Sequence, residues 1–125
     1  MTLNERDVDQ IAILDLHGRL TSNDGAGVIK TVVDRLLSQG RTRIVLNLAD
    51  LAYMDSSGLG EIIACYSATV KAGGAIKLAH TTTRIQDLLS ITKLITVFDT
   101  YDTEARALES FTPLTVPAVV AAVRG

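Results

Sequence analysis

Segments of strand composition alternate with segments of helical spacing along this chain, and this alternation limits its fold more than any other feature. Strand composition means a short segment rich in Ile, Val and Leu. Helical spacing means apolar residues at every third or fourth position. The strands are predicted at 2–8, 10–20, 42–51, 75–80 and 96–100. The helices are predicted from Val28 to Gly40, from Leu59 to Val70, over 81–91 and over 101–111. This order predicts an α/β fold with a mixed sheet of four to five strands and about four helices packed on it.

Local turn and cap signals agree with this order. A turn near Asp9 is expected to join the first two strands, and Gly40 is a residue type that ends helices. Short polar residues are expected to cap two of the helices: Ser22, Asn23 or Asp24 before the first, and Asp102 or Thr103 before the last.

The core of this chain must be aliphatic, because aromatic residues make up only 4% of it and Trp is absent. Its 125 residues fit one domain of common size. We expect residues 1–111 to form that domain. Residues 112–125 form a tail that holds both prolines and is almost uncharged. This tail is expected either to pack on the same domain or to contact a partner.

Several functional classes are excluded by charge and composition. The net charge is −2 and the basic residues are scattered, so no basic face for nucleic acid is expected. Cys65, His17 and His80 are isolated from one another, so neither a metal site nor a bound cofactor is predicted. The polar N-terminus predicts no signal peptide, and no apolar run is long enough for a membrane span. We therefore expect a cytoplasmic protein.

The most informative motif is "MDSSGLG", residues 54–60, at a joint between strand and helix. A hydrolase elbow needs Gly-x-Ser-x-Gly, but Met54 and Asp55 precede the serines here. A Walker A loop needs Gly-Lys-Ser/Thr after the glycines, and "GLGEI" lacks it. The dinucleotide fingerprint needs Gly or Ala where Ile63 stands. The motif therefore predicts no catalytic residue, and we expect that the protein is not an enzyme.

Residue chemistry leaves two interpretations of this motif. In the first, Asp55, Ser56 or Ser57 only caps the following helix by accepting a backbone N–H. In the second, one of the two serines is displayed for phosphorylation, which would add about −1.5 to −2 charges beside Asp55. The glycines permit a tight joint in either case. Glu61 is expected in the first turn of the helix, where an acid is favourable against the helix dipole.

A longer stretch around the motif resembles a known family. The segments "IVLNLADLAYMDSSGLGEIIACY", "AGGAIKLAH" and "RIQDLLSITKLITVFDTYDTEARAL" are similar to a STAS domain of the bacterial anti-sigma factor antagonist type. The resemblance covers roughly residues 10 to 110, and "MDSSGLG" is its most specific part.

This resemblance implies a STAS fold and a regulatory role. Family members bind an anti-sigma factor that is a serine/threonine kinase, and so release a sigma factor. The kinase phosphorylates the serine after the aspartate, here Ser56, which breaks the complex, and a PP2C-type phosphatase reverses this. The protein is then a substrate and partner, and ATP belongs to the kinase. A weak homodimer is a further expectation. The predicted partner-binding residues are Asp55, Ser57, Gly58, Leu59, Gly60, Thr21 and Asp24.

One loop departs from the family pattern. Where members often have Gly-Glu-Leu-Asp, this chain has "GRLTSNDG", with Arg19 and Thr21 in place of the acids. Asp24 could replace the missing acid, or Arg19 could bind the phosphate or meet a different partner. The alternative function is therefore a constitutive STAS scaffold or transport-associated subunit in which Ser56 is only a helix cap.

Overall fold

A computed structural model describes residues 1–111. Their strands form one five-stranded sheet in the order β1-β2-β3-β4-β5. The strands are β1 Thr2–Val8, β2 Ile11–Leu20, β3 Arg43–Met54, β4 Ala75–Ala79 and β5 Asp99–Tyr101. β1 is antiparallel to β2, and the other neighbours pair in parallel. The predicted mixed sheet is therefore confirmed. The tail, residues 112–125, and both roles predicted for it lie outside the described residues.

Four helices cover the two faces of the sheet in the described part of the chain. They are α1 Val28–Ser38, α2 Ser56–Lys71, α3 Thr83–Ile91 and α4 Glu104–Glu109. α1, α2 and α3 contribute to the larger apolar core on one face, whereas Ala107 of α4 packs with Ile11, Ile13 and Val45 on the other. Both faces of β2 and β3 are therefore covered, which explains their nearly continuous apolar sequence. Between residues 1 and 111, no helix is long and apolar enough to cross a membrane.

The hairpin between β1 and β2 confirms the predicted turn near Asp9. Asp9 and Gln10 both have positive φ angles, 51° and 68°, while Val8 pairs with Ile11. Two successive residues with positive φ are the geometry of a type I′ turn, whose twist matches that of the flanking strands. This turn sets the register of β1 on β2.

The last strand and the last helix begin later than predicted. β5 was predicted at 96–100, but the amides of Val97 and Phe98 donate to the Leu94 carbonyl in a turn that follows α3. These hydrogen bonds compete with strand pairing, so β5 starts only at Asp99. Since β5 extends to Tyr101, α4 spans only Glu104–Glu109 of the predicted 101–111, with Thr103 as its cap.

A cluster of charged and polar side chains connects the first three strands with α4. The guanidinium of Arg6 on β1 donates to both carboxylate oxygens of Asp15 on β2, at 2.6 and 2.9 Å. The same guanidinium pairs with Glu104 of α4, and the side-chain amide of Asn47 on β3 donates to Asp15 at 2.7 Å. The hydrogen bonds from Arg6 lower the pKa of Asp15 to about 2. The cluster therefore joins β1, β2, β3 and α4 through the guanidinium of Arg6 and the half-buried carboxylate of Asp15.

Replacing Arg6 by Ala is expected to lower the free energy of unfolding by about 2 kcal/mol, because it leaves two carboxylates without their cation. The pKa of Asp15 lies below its ordinary 3.8, so its contribution is complete above that pH and is lost as the pH falls toward about 2. The variant should therefore lose less stability than the parent over this range. Urea denaturation at several pH values measures both effects. Arg106→Ala, at an exposed position on α4, is the control, and equal losses for both variants would contradict the prediction.

Candidate functional site

The two predicted site segments meet at the carboxyl ends of β2 and β3. Leu20, the last residue of β2, pairs with Met54, the last residue of β3. The Asp55 amide then donates to the Leu20 carbonyl oxygen at 3.3 Å. Parallel strands end at the same edge of a sheet, so the loop after Leu20 and the "MDSSGLG" segment are neighbours. Residues 34 positions apart in the sequence therefore share one surface.

Asp55 is the cap of α2. Its backbone is extended, with φ −102° and ψ −173°, and its Oδ1 accepts a hydrogen bond from the Gly58 amide at 2.9 Å. Ser56 and Ser57 are the first two residues of the helix, and both are exposed. The interpretation of Ser56 as the helix cap is therefore wrong, since Asp55 already has that role.

Gly58 and Leu59 lie beneath this surface rather than on it. Leu59 is only 3% exposed and belongs to the large core. A Cβ added at Gly58 would lie 2.5 Å from the Leu20 carbonyl oxygen and 2.8 Å from Met54 Cγ. Gly60 is exposed, and a Cβ there would meet nothing within 4 Å. Of the predicted partner-binding residues on α2, Ser57 and Gly60 are thus accessible, whereas Gly58 and Leu59 determine how α2 packs on β2.

The loop after β2 is a tight turn closed by Thr21 and Asp24. Their backbone groups exchange two hydrogen bonds, at 2.9 and 3.2 Å, and the Asn23 amide donates to Thr21 Oγ1. The Asp24 carboxylate pairs with the amino group of Met1, although its side chain remains 44% exposed. Thr21 directly follows Leu20, so this turn lies near the start of α2. The predicted capping of α1 by residues 22–24 is wrong, because α1 starts after Gly27.

Glu61 of α2 caps the start of α1. Gly27 is the N-cap residue of α1, with φ 85°, and has no side chain to accept a hydrogen bond. The Glu61 carboxylate accepts instead from the Gly27 amide at 2.7 Å and from the Lys30 amide at 3.0 Å. Glu61 is the sixth residue of α2, so its predicted place in the first turn is wrong, and its charge serves the neighbouring helix. This contact holds the loop after β2 against α2.

A groove of about 740 Å³ opens next to Ser56, between the end of β3 and α3. Apolar and charged side chains line it, among them Leu51, Tyr53, Asp55, Ser56, Arg84, Asp87, Leu88 and Ile91. Ile91 is 79% exposed at its rim. The guanidinium groups of Arg19 and Arg84 lie over the Tyr53 ring, at 4.7 and 5.8 Å from its centroid. Arg84 is not among the predicted site residues, because its place beside Tyr53 depends on the fold; the sequence shows it only as a basic residue in the first turn of a helix.

Cys65 is a free and buried cysteine in α2. Burial raises the pKa of the Cys65 thiol to about 12, as expected for a small core residue rather than a nucleophile. Across residues 1–111, no group of three or more His, Cys, Asp or Glu side chains could hold a metal ion.

Residues 3–107 match the family model of the STAS domain. The chain belongs to the STAS domain family. A candidate anti-sigma factor antagonist of Thermotoga neapolitana is 32% identical over 102 residues, which cover 82% of this chain and 90% of that relative. An anti-sigma F factor antagonist of Paenibacillus polymyxa is 30% identical over 98 residues, 78% of this chain and 84% of that relative.

The structure of this STAS domain is also similar to solved ones. The crystal structure of a candidate anti-sigma factor antagonist from Thermotoga maritima superposes with a TM-score of 0.80. It is 29% identical, and the match covers 86% of this chain and 92% of the solved one. The STAS fold implied by the sequence is therefore confirmed.

Gly58→Ala is expected to lower the free energy of unfolding by about 1–3 kcal/mol, because the added methyl group would overlap the backbone of Leu20. Gly60→Ala is the matched control in the same helix. Its methyl group meets no atom, and replacing a helical glycine should raise stability by about 0.5–1 kcal/mol. Thermal and urea denaturation of both variants measures the two changes in stability, which should have opposite signs. Two changes of the same sign would contradict the geometry of this joint.

Glu61→Ala is expected to remove the cap of α1 at a cost of about 1 kcal/mol. The amides of Gly27 and Lys30 should then exchange their hydrogens faster, since they lose their acceptor. Glu109→Ala, at an exposed position near the end of α4, is the control. Unchanged exchange at Gly27 and Lys30 would show that the contact does not stabilise α1.

Proposed function

We propose that this STAS protein is an anti-sigma factor antagonist that phosphorylation on Ser56 switches off. The observation that carries the proposal is the position of Ser56, which is exposed in the first turn of α2 while Asp55 caps the helix. Its hydroxyl has no hydrogen-bond partner among residues 1–111 and is therefore available to a kinase. The names of the relatives from Thermotoga neapolitana and Paenibacillus polymyxa support the role of antagonist.

Ser56 is favoured over Ser57 as the modified residue. Both are exposed, but only Ser56 lines the groove beside α3. Ser56 also directly follows the capping aspartate, as does the phosphorylated serine of the family that the sequence resembles. Ser57 is then a contact residue on the rim of the same surface.

The proposed partner of the unphosphorylated form is an anti-sigma factor that is a serine/threonine kinase. It would dock on the surface formed by Asp55, Ser57, Gly60, Thr21 and Asp24, and this docking would release a sigma factor in the cytoplasm. Gly58 and Leu59 would support this surface from below. The STAS protein itself would be the substrate, and the kinase would hold the ATP.

The proposed switch is electrostatic. A phosphate on Ser56 adds about −1.5 to −2 charges at pH 7 to a groove that already holds Asp55 and Asp87. A partner surface that covers the groove would have to remove water from this dianion, which costs more than the contact contributes. The helix start tolerates the same charge locally, because the dipole of α2 favours an anion there. Phosphorylation would thus end binding without unfolding the domain, and a PP2C-type phosphatase would restore it.

The decisive experiment is incubation with ATP and the anti-sigma factor kinase from the same cell. We expect the intact protein to gain the mass of one phosphate, Ser56→Ala to gain none, and Ser57→Ala to be modified like the parent. Ser56→Asp should bind the kinase about tenfold more weakly, or worse, because it places a permanent charge in the interface. If no encoded kinase of this class modifies the protein, the switch is wrong and a constitutive STAS subunit remains. A weak homodimer, if formed, would be detected by sedimentation of the same samples.

A further inference from the structure

Two guanidinium groups over the Tyr53 ring have no carboxylate partner in the described chain. Arg19, near the end of β2, and Arg84, in α3, are both exposed and lie over the Tyr53 ring, at 4.7 and 5.8 Å from its centroid. Among residues 1–111, neither takes part in an ion pair, whereas several other cations do: Arg6, Lys30, Arg35, Arg41 and Lys77. The aromatic ring therefore keeps two cations together without neutralising either of them.

The position of Arg84 in α3 is unfavourable for stability. It is the second residue of the helix, directly after Thr83, and Thr82 is the cap. The first turn of a helix carries partial positive charge, so an acid is favoured there and a cation is disfavoured. No acidic residue lies in the first turn of α3 to offset it. The stability of α3 does not explain this arginine, but an anion bound nearby would.

Ser56 lines the same groove as Arg84 and Tyr53. The other charged groups that line it are Asp55 and Asp87, so a phosphate on Ser56 would add a dianion to two carboxylates. A guanidinium matches the geometry of phosphate oxygens and can donate two parallel hydrogen bonds. Exposed arginine side chains change rotamer within nanoseconds, so Arg84, which already lines the groove, can turn toward Ser56.

We propose that Arg84, together with Arg19 over the same Tyr53 ring, is the internal receptor for a phosphate on Ser56. This inference rests on the proposed function, because it takes Ser56 as the phosphorylated residue. In the phosphorylated protein, the guanidinium groups hold the phosphate on the domain's own surface. Phosphorylation therefore changes the charge of this surface in two ways. It adds an anion, and it pairs two cations that would otherwise be available to solvent or to a partner.

The first test uses protein with phosphoserine incorporated at position 56 during translation, so that no kinase is needed. The second pKa of the phosphoserine, about 6 in a free peptide, is followed by ³¹P NMR during a pH titration. A nearby cation favours the dianion, so this pKa should be lowered in the parent, and Arg84→Gln should raise it by about one pH unit. Arg19→Gln should have a smaller effect in the same direction. Arg106→Gln, at an exposed position of α4, is the matched control and should leave the pKa unchanged.

The second test compares melting temperatures with and without the phosphate. In the phosphorylated protein, Arg84→Gln should lower Tm by about 2–4 °C, because the pairing is lost. In the unphosphorylated protein, the same change should leave Tm unchanged or raise it, since it removes a cation from the start of α3. Arg84→Lys keeps the positive charge but loses the fork geometry of the guanidinium. The phosphoserine pKa in this variant should therefore lie between those of the parent and Arg84→Gln.

The outcomes separate this inference from the proposed function. The inference that Arg84 binds the phosphate is overturned if Arg84→Gln leaves the phosphoserine pKa unchanged, or if it changes Tm equally in both forms. Either result leaves the kinase switch intact. If Arg84→Gln instead weakens kinase binding of the unphosphorylated protein and leaves the pKa unchanged, Arg84 is a partner contact and the inference is also overturned. Failure of every kinase to modify Ser56 overturns the proposed function. The ³¹P titration needs no kinase, so it still shows whether Arg84 pairs with a phosphate at position 56.

Discussion

The parallel pairing of β2 with β3 is the constraint on which the rest of the structure depends. The two strands pair from Ala12 and Ile44 to Leu20 and Met54, and helices cover both of their faces. Because they end together, the loop after β2 and the start of α2 are placed at one edge of the sheet. The approach of α2 to Leu20 then requires a residue without a side chain, which is Gly58. A buried strand pair thus positions an exposed serine.

Most of the fold could be predicted from the sequence, because its signals are local. The alternation of strand and helix segments, the turn at Asp9 and the cap at Thr103 each depend on neighbours in the chain. The errors occurred where distant contacts compete with local preference. Residues 96–98 have strand composition, but turn hydrogen bonds to Leu94 hold Val97 and Phe98 after α3. Ser22, Asn23 and Asp24 are good capping residues, but the Thr21–Asp24 turn places them before the start of α1.

The candidate site was predictable in part, for a similar reason. The motif places Asp55 and Ser56 next to each other, so a cap and a displayed serine were both readable from the sequence. Residue chemistry did not decide which residue caps α2; the hydrogen bond from Gly58 to Asp55 decides it. Glu61 and Arg84 were not predictable as part of the site, because their roles depend on Gly27 and Tyr53, which are distant in the sequence. Such pairs are visible only once the chain is folded.

The contact between Glu61 and the start of α1 also has a consequence for how this surface can evolve. Since Gly27 supplies no cap of its own, the choice of residue at position 61 is tied to the choice at position 27. Because φ of Gly27 is 85°, a serine or aspartate at position 27 could cap α1 only if the backbone there became extended, as it is at Asp55. Such a change would release position 61 to vary, including toward residues that suit a new partner. Substitutions at these two positions should therefore arise as compensating pairs. A protein of this family could in this way acquire a different docking specificity without losing its first helix.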